Sequence, residues 1–151
     1  MPTLLFRHAL AGLCLLTLAG AAHAVDTISS PSAPDLGQVR AAIKTKNYKA
    51  ALADLRVLET TNQQPDVYSL LGFTLRKTGD RQQAMTYYQK ALALDPKHKG
   101  ALEYQGELFI ELGQLNEARA NLGKLTLLCP SGCEEREDLQ EAIDKAQKSK
   151  S

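Results

Sequence analysis

One feature constrains this chain more than any other: residues 65–98 and 99–132 align with each other at an offset of 34 residues. The aligned identities fall where packing or backbone geometry restricts the choice of residue. They include the pairs Gly72 and Gly106, Gly79 and Gly113, Ala84 and Ala118, and Pro96 and Pro130. A period of about 20–50 residues is typical of arrays in which each unit buries its apolar face against the next. The repeat therefore predicts a solenoid of stacked units.

Within each unit the restricted positions predict two helices joined by a turn. Gly72 would let a neighbouring helix approach closely, and Gly79 suits a turn that needs positive φ. Ala84 lies where two helices would touch, and Pro96 stops the second helix. Extended along the chain, the pattern predicts helices at residues 35–45, 48–60, 66–78, 82–94, 100–112, 116–128 and 134–148. The expected fold class is all-α.

Residues 65–98 resemble the tetratricopeptide repeat. The resemblance is carried by Tyr68 at the usual Trp position and by Leu71, Gly72, Leu75, Gly79, Ala84, Tyr88, Ala91 and Pro96. Residues 99–132 keep Gly106, Phe109, Gly113, Ala118, Leu122 and Pro130. They have Gln105 where Leu is usual and Leu125 where Ala is usual, so looser helix packing is expected there. Residues 35–64 keep only the second-helix pattern and are interpreted as a degenerate repeat. The resemblance implies an α-solenoid of antiparallel helix pairs.

Residues 133–151 are predicted to form a capping helix with a basic tail. The helix carries an apolar stripe at helical spacing, an acidic first turn and a basic end, an order that complements the helix dipole. The stripe consists of Leu139, Ala142, Ile143 and Ala146. A solenoid needs such a cap, because its last unit would otherwise expose its apolar side. The alternative is that this helix docks a partner.

The first 24 residues have the pattern of a secretory signal peptide. Arg7 supplies positive charge, an uncharged apolar run extends from Ala9 to Ala22, and small residues flank His23. The run is short for a membrane span, so we expect cleavage after Ala24 rather than a retained anchor or any stable membrane insertion. Residues 25–34 are rich in Ser and Pro and predict a flexible leader. The expected location is periplasmic or secreted.

The charge balance of the remaining chain disfavours nucleic acid as a partner. The sequence has 18 Lys and Arg and 17 Asp and Glu. Removal of Arg7 with the signal peptide leaves 17 of each sign, without the basic excess that is typical of nucleic-acid binders.

No catalytic pattern occurs in the sequence, which predicts a protein that is not an enzyme and has no cofactor or metal. His98 is expected to be a solvated loop residue. Glu103, Glu107 and Glu111 recur every four residues and so share a helix face. They form either a site for a hard cation or a basic peptide, or a solvated stripe that meets Arg76 and Lys77.

The resemblance implies that the first helix of each unit lines a concave groove that receives peptides. The groove-facing candidates are Ser69, Phe73, Arg76, Lys77, Glu103, Tyr104, Glu107 and Glu111, with Arg40 and Lys44 from the degenerate unit. Phe73 is interpreted either as an exposed anchor or as core. Basic and acidic candidates on successive units favour a mixed-charge peptide. The expected function is a non-catalytic scaffold or assembly factor for a protein or peptide partner; self-association through the groove is a further hypothesis.

Cys129 and Cys133 flank Pro-Ser-Gly at the joint between the last unit and the capping helix. In an exported protein disulfides persist, and this turn chemistry brings two Cα atoms within bonding range, so a structural disulfide is predicted. Two alternatives remain open: a redox-active pair, and a thiolate site for a soft metal such as Cu(I). The rival function is therefore a thiol-redox or metal-handling factor.

Overall fold

The computed structural model describes residues 35–149, which form seven helices and no strand. The helices are α1 (Gly37–Lys44), α2 (Tyr48–Thr61), α3 (Pro65–Lys77), α4 (Arg81–Leu94), α5 (Lys99–Glu111), α6 (Leu115–Leu128) and α7 (Glu134–Lys148). Each begins and ends within two residues of its predicted bounds, so the predicted all-α class is confirmed. The predicted signal peptide (residues 1–24) and leader (residues 25–34) lie outside the described residues. None of the seven helices is long and apolar enough to cross a membrane.

The same turn joins the two helices of the first three pairs. Its central residue has positive φ in each case: 58° at Lys46, 97° at Gly79 and 75° at Gly113. The next residue donates its backbone N–H to the carbonyl five residues earlier at 2.8–2.9 Å, which is the hydrogen bond of a Schellman helix end. The predicted role of both glycines is confirmed. Lys46 holds the same conformation without being glycine, so the first pair lacks the sequence signal while keeping the turn.

Two of these turns also start the following helix. Asn47 Oδ1 accepts a hydrogen bond from the Ala50 N–H at 3.3 Å, and Asp80 Oδ1 accepts one from the Gln83 N–H at 3.0 Å. Side-chain oxygens at these positions satisfy N–H groups that have no partner within the helix. One short segment therefore ends one helix and begins the next, which holds each pair antiparallel.

The α3–α4 pair packs around Gly72. A Cβ atom at this position would lie 2.5–2.6 Å from ring carbons of Tyr88, so only glycine admits the ring. Tyr88 is fully buried, as are Ala84 and Ala91 on the same helix. The predicted close approach at Gly72 is confirmed, and the small residues of α4 lie in the core as expected.

The α5–α6 pair contains a polar contact at the position where the repeat usually has leucine. Gln105 is buried, and its Oε1 accepts a hydrogen bond from Asn121 Nδ2 at 3.0 Å. The same Asn121 group donates to the Leu102 carbonyl at 3.0 Å. Because each buried polar group finds a partner, the substitution is tolerated inside the array. Leu125, at the position where the repeat usually has alanine, is fully buried.

The last helix, α7, packs against both α5 and α6 and uses its apolar stripe to do so. Leu139 and Ile143 are buried in a cluster with Leu102, Ala118 and Leu125. A Cβ atom at Gly106 would lie 2.6 Å from the δ carbons of Leu139. Gly106 therefore admits a residue of α7, whereas its counterpart Gly72 admits a residue of its own unit. Leu139 and Ile143 of the stripe are thus covered by the last repeat, as expected of a capping helix, while Ala142 and Ala146 are half-buried.

Cys129 and Cys133 lie at disulfide-bonding distance, with Cα atoms 6.0 Å apart. Cys129 follows the end of α6, and Cys133 is the N-cap residue of α7, so the two cysteines lie at the predicted joint. Arg136 Nη1 donates to the carbonyls of Cys129 at 3.1 Å and of Pro130 at 3.2 Å, which adds a second tie across the same joint.

Candidate functional site: the inner face

Helices α1, α3, α5 and α7 together line one cavity of ≈ 370 Å³, and we call the surface that these four helices share the inner face. The residues around this cavity are Arg40, Asp66, Ser69, Leu70, His98, Gly100, Glu103, Tyr104, Glu134, Glu135 and Asp138. The repeat register places the first helix of each pair on this face, as the sequence predicted. The repeat pattern does not predict that α7 also lines the cavity.

Three aromatic rings, from α2, α3 and α5, form a row that reaches the cavity at Tyr104. The ring centroids of Phe73 and Tyr104 are 4.8 Å apart, and Tyr48 approaches Phe73 edge-on at 6.3 Å. Phe73 is half-buried, so its burial lies between that of the exposed anchor and that of the core residue of the two sequence interpretations. Lys77 is exposed, and its Nζ lies 5.2 Å from the centre of the Phe73 ring. The row presents apolar edges with a cation beside them.

The charge of Arg76 is neutralised within the protein. Its side chain is 4% exposed and forms ion pairs with Glu107 and with Glu111, the latter at 2.8 Å. Arg81 joins from α4 with its Nε 2.9 Å from Glu111. The predicted meeting of the acidic stripe with Arg76 is thus observed, and that with Lys77 is not. A bound peptide meets little free charge at Arg76, Glu107 and Glu111, although the sequence offered all three as groove candidates.

Glu103 differs from the other two stripe residues. It is 7% exposed, lines the cavity, and has no hydrogen-bond or ion-pair partner among residues 35–149. Burial raises the pKa of this carboxyl to about 8, and the negative charges of Glu107, Asp138, Glu135 and Glu134 act in the same direction.

Tyr104 stands between the aromatic row and the cavity. Burial and the nearby Glu103 carboxylate raise the pKa of its phenol to about 12. Its ring therefore stays neutral in the physiological range and offers an aromatic surface beside a buried acid.

The other predicted groove residues have different positions. Ser69 is buried at the cavity wall, and Arg40 is exposed with its guanidinium 3.8 Å from Asp66. Lys44, at the end of α1, is exposed and does not line the cavity.

His98 is not the solvated loop residue that the sequence suggested. It is the N-cap of α5: its Nδ1 accepts a hydrogen bond from the Ala101 N–H at 3.0 Å. Its Nε2 lies 3.3 Å from Asp66 Oδ1, and its side chain is 16% exposed. A histidine one residue after a helix stop gave no signal for capping, because Ser, Thr, Asp and Asn dominate that position.

The acidic residues at the start of α7 were interpreted only as complements of the helix dipole. Glu134, Glu135 and Asp138 also line the cavity, as Asp66 of α3 does. The sequence shows that the first turn of α7 is acidic. That these carboxylates reach the cavity could not be inferred, because the repeat pattern ends before α7 begins. In the described part of the chain no three His, Cys, Asp or Glu side chains are grouped to hold a metal ion.

The helix pairs, their shared turn and their common inner face define a helical repeat protein that presents one continuous face. Residues 65–98 match a family model described as tetratricopeptide repeat, and residues 87–120 match a second model of the same description. Residues 65–120 of the chain therefore belong to the tetratricopeptide repeat family, and the fold of residues 35–149 agrees with it.

Solved structures share the fold. The first tetratricopeptide repeat domain of human RPAP3 superposes with a TM-score of 0.63 at 19% identity, covering 75% of this chain and 89% of that one. The Yersinia enterocolitica type III secretion translocator chaperone SycD gives 0.65 at 16% identity, covering 80% and 98%. PcrH, in complex with the chaperone binding region of PopD, gives 0.60 at 16% identity, covering 77% and 93%.

One curated relative matches part of the chain. The probable biofilm formation methyltransferase WspC of Pseudomonas putida is 39% identical over 64 residues, which are 42% of this chain. The match spans only 15% of that protein's length, so the similarity concerns a segment and not its named activity.

Proposed function

We propose that this protein is a non-catalytic scaffold or assembly factor that holds a protein or peptide partner on its inner face. The observation that carries the proposal is the half-buried aromatic row, where Phe73 and Tyr104 present ring edges that no other part of residues 35–149 covers completely. Aromatic residues are prominent among the few residues that dominate binding energy in many interfaces.

The comparisons support this proposal through the fold. SycD is named a translocator chaperone, and PcrH was solved in complex with the chaperone binding region of PopD. Both share the helical repeat at low identity, so they support a binding role without indicating which partner this chain takes.

The expected location of the protein is part of the proposal. A chain with the pattern of residues 1–24 would be exported and cleaved after Ala24. Cell fractionation followed by N-terminal sequencing tests this directly. A mature chain that begins at Val25 in the exported fraction is the expected result, and an uncleaved cytoplasmic chain would contradict it.

The partner-binding test uses cross-linking and pull-down from the exported compartment, quantified by mass spectrometry. We expect Phe73→Ala to lose specific partners that the wild type retains. The matched control is Leu127→Ala, because Leu127 is an 85% exposed apolar residue of α6 that does not line the inner-face cavity. Thermal unfolding by circular dichroism verifies that both variants are folded. Equal capture by all three proteins would refute the role of the aromatic row.

The rival thiol function is tested with the Cys129→Ser/Cys133→Ser variant. A structural tie across a short loop contributes about 2 kcal/mol, so the scaffold proposal predicts a modest loss of stability with partner capture retained. Complete loss of capture in a folded variant, or two reactive thiols in a titration of the exported protein, would instead favour thiol chemistry.

A further inference from the structure

We propose that the inner-face cavity receives the ammonium or guanidinium group of a lysine or arginine side chain from the bound partner. The inference rests on the proposed function and deepens it, because it assigns a chemical preference to one position of the inner face. Three observations carry it: acidic residues outnumber basic ones around the cavity, one buried carboxyl has no partner in the described chain, and an aromatic ring lines the same cavity.

The charges around the cavity do not balance. Five acidic residues line it: Asp66, Glu103, Glu134, Glu135 and Asp138. Two of them are paired within the chain, since Asp66 meets Arg40 at 3.8 Å and His98 at 3.3 Å, and Glu135 meets Lys99 at 3.4 Å. The other three have no cationic partner among residues 35–149. The excess of negative charge lies on α7, and Glu103 of α5 adds to it when it ionises.

Glu103 is the group at which this excess has the largest energetic effect. A carboxylate largely removed from water is costly unless it is paired or hydrogen-bonded. Glu103 is 7% exposed, meets solvent at the cavity, and has neither kind of partner in the described chain. A cation placed in the cavity would supply the missing partner. The site is therefore incomplete in the free protein and complete when a positive group enters.

The cavity suits an organic cation better than a bare metal ion. Its five carboxylates are divided among α3, α5 and α7, and no three are grouped for metal ligation in the described residues. Its volume of ≈ 370 Å³ lies in the range of about 300–1,000 Å³ that ligand sites usually have. Tyr104 adds an aromatic surface, and cations lie favourably over such rings.

The cavity also continues into the surface proposed to hold the partner. Tyr104 lines the cavity and packs against Phe73 of the aromatic row. A peptide that places an apolar side chain on Phe73 would therefore pass the cavity mouth. This continuity favours a side chain of that peptide over a free small molecule.

The experiment titrates the purified protein with small probes and follows backbone amide shifts by NMR. The probes are acetyl-arginine methylamide and acetyl-lysine methylamide, with acetyl-citrulline methylamide as an uncharged isostere of the arginine probe. We expect saturable shifts at Gly100–Tyr104 and Glu134–Asp138 with the two cationic probes, at about millimolar Kd, and none with citrulline. Equal binding of the citrulline probe would overturn the proposal.

Variants locate the binding. Glu103→Gln is expected to weaken the arginine probe by about tenfold or more, because a close charge pair is lost. The matched control Glu117→Gln removes an exposed carboxylate of α6 and should leave the affinity unchanged. An affinity unaffected by Glu103→Gln would overturn the assignment. So would saturable shifts of the same amides with MgCl₂ or CaCl₂, or tighter binding of alanine methylamide, which carries only an α-amine.

Binding should strengthen with pH, since the carboxyl must ionise to meet the cation. The affinity for the arginine probe is expected to fall as pH drops below about 8, the pKa of free Glu103. The groups that face Glu103 and titrate or carry charge are Arg40 on α1, Asp66 on α3, His98, Tyr104 and Glu107 on α5, and Glu134, Glu135 and Asp138 on α7. The guanidinium stays charged throughout, so an affinity that is constant from pH 6 to 9 would count against the site.

Failure here is distinguishable from failure of the proposed function. If the cationic probes do not bind but Phe73→Ala still abolishes partner capture, the scaffold stands and the cavity assignment is wrong. If the probes bind and Phe73→Ala changes nothing, the cavity stands and the aromatic row is not the docking surface.

Discussion

Replacing Glu103 with glutamine should stabilise the folded protein, by an amount that depends on pH. The carboxyl is buried against α7 without a partner in the described chain, and its pKa is raised to about 8. Glutamine has nearly the same shape and no charge, so it removes the cost of ionisation while it keeps the packing.

The sign follows from the two protonation equilibria. In the unfolded chain Glu103 has its ordinary pKa of 4.5, and in the folded chain the value is about 8. Below pH 4.5 the group is protonated in both states and contributes no pH dependence. As pH rises from there to about 8, the unfolded state releases a proton that the folded state retains, so the folded state loses stability.

The magnitude at pH 7 comes from the same values. A difference of one pKa unit corresponds to about 1.4 kcal/mol, so holding the proton from pH 4.5 to pH 7 costs about 3 kcal/mol. Residual hydration through the cavity reduces this cost. We therefore expect Glu103→Gln to raise the free energy of unfolding by about 2–3 kcal/mol at pH 7 and by close to zero at pH 4.

Urea unfolding followed by circular dichroism, at pH 4, 7 and 8.5, measures the effect. Glu117→Gln serves as the control, since it removes one exposed carboxylate from another helix and corrects for the general titration of acidic groups. A stability gain that is the same at pH 4 and pH 7, or no gain at either, would show that Glu103 is hydrated or paired in the folded protein.

Three further substitutions test the packing, each by urea unfolding at pH 7. Gly72→Ala should lower the free energy of unfolding by about 2–4 kcal/mol, because the added methyl meets a buried ring. Gly123→Ala, in open space on α6, should raise it by about 0.5–1 kcal/mol. Equal effects of the two substitutions would contradict the close approach at Gly72. Arg76→Ala should lower the free energy of unfolding by about 2–3 kcal/mol, because it removes the buried cation of two ion pairs. Arg81→Ala, at the 53% exposed end of the same network, should lower it by less than about 1 kcal/mol. The reverse order would refute the burial of the Arg76 ion pairs. Lys46→Gly should gain about 0.5–1 kcal/mol by relieving positive φ, and a loss would show that the lysine is not strained.

The helices and their turns could be predicted because the repeat restricts local geometry. Gly79 and Gly113 have the positive φ that their positions required, and every helix lies within two residues of its expected bounds. Helix bounds and turn conformation depend on residues that are close in sequence, so the repeat pattern is enough to predict them.

The cavity could be predicted only in part, because it depends on residues that are distant in sequence. Glu103 was a groove candidate, but nothing in the 34-residue pattern shows that α7 brings Glu134 and Asp138 beside it. Likewise Arg76 was expected to face a peptide, and its burial depends on Glu107 and Glu111 of the next unit. Sequence spacing places residues on a helix face; which charges on that face remain free is decided by packing.

The two glycines Gly72 and Gly106 also bear on how the array stops. Tyr88 covers Gly72 from within the same unit, but the residue 34 positions later is Leu122, whose side chain is shorter, and Leu139 of α7 occupies the space instead. Because Leu122 has no ring that could cover Gly106, Leu139 of α7 can pack there. In this chain, one smaller side chain at position 122 therefore leaves the space beside Gly106 to a helix that lies outside the repeats.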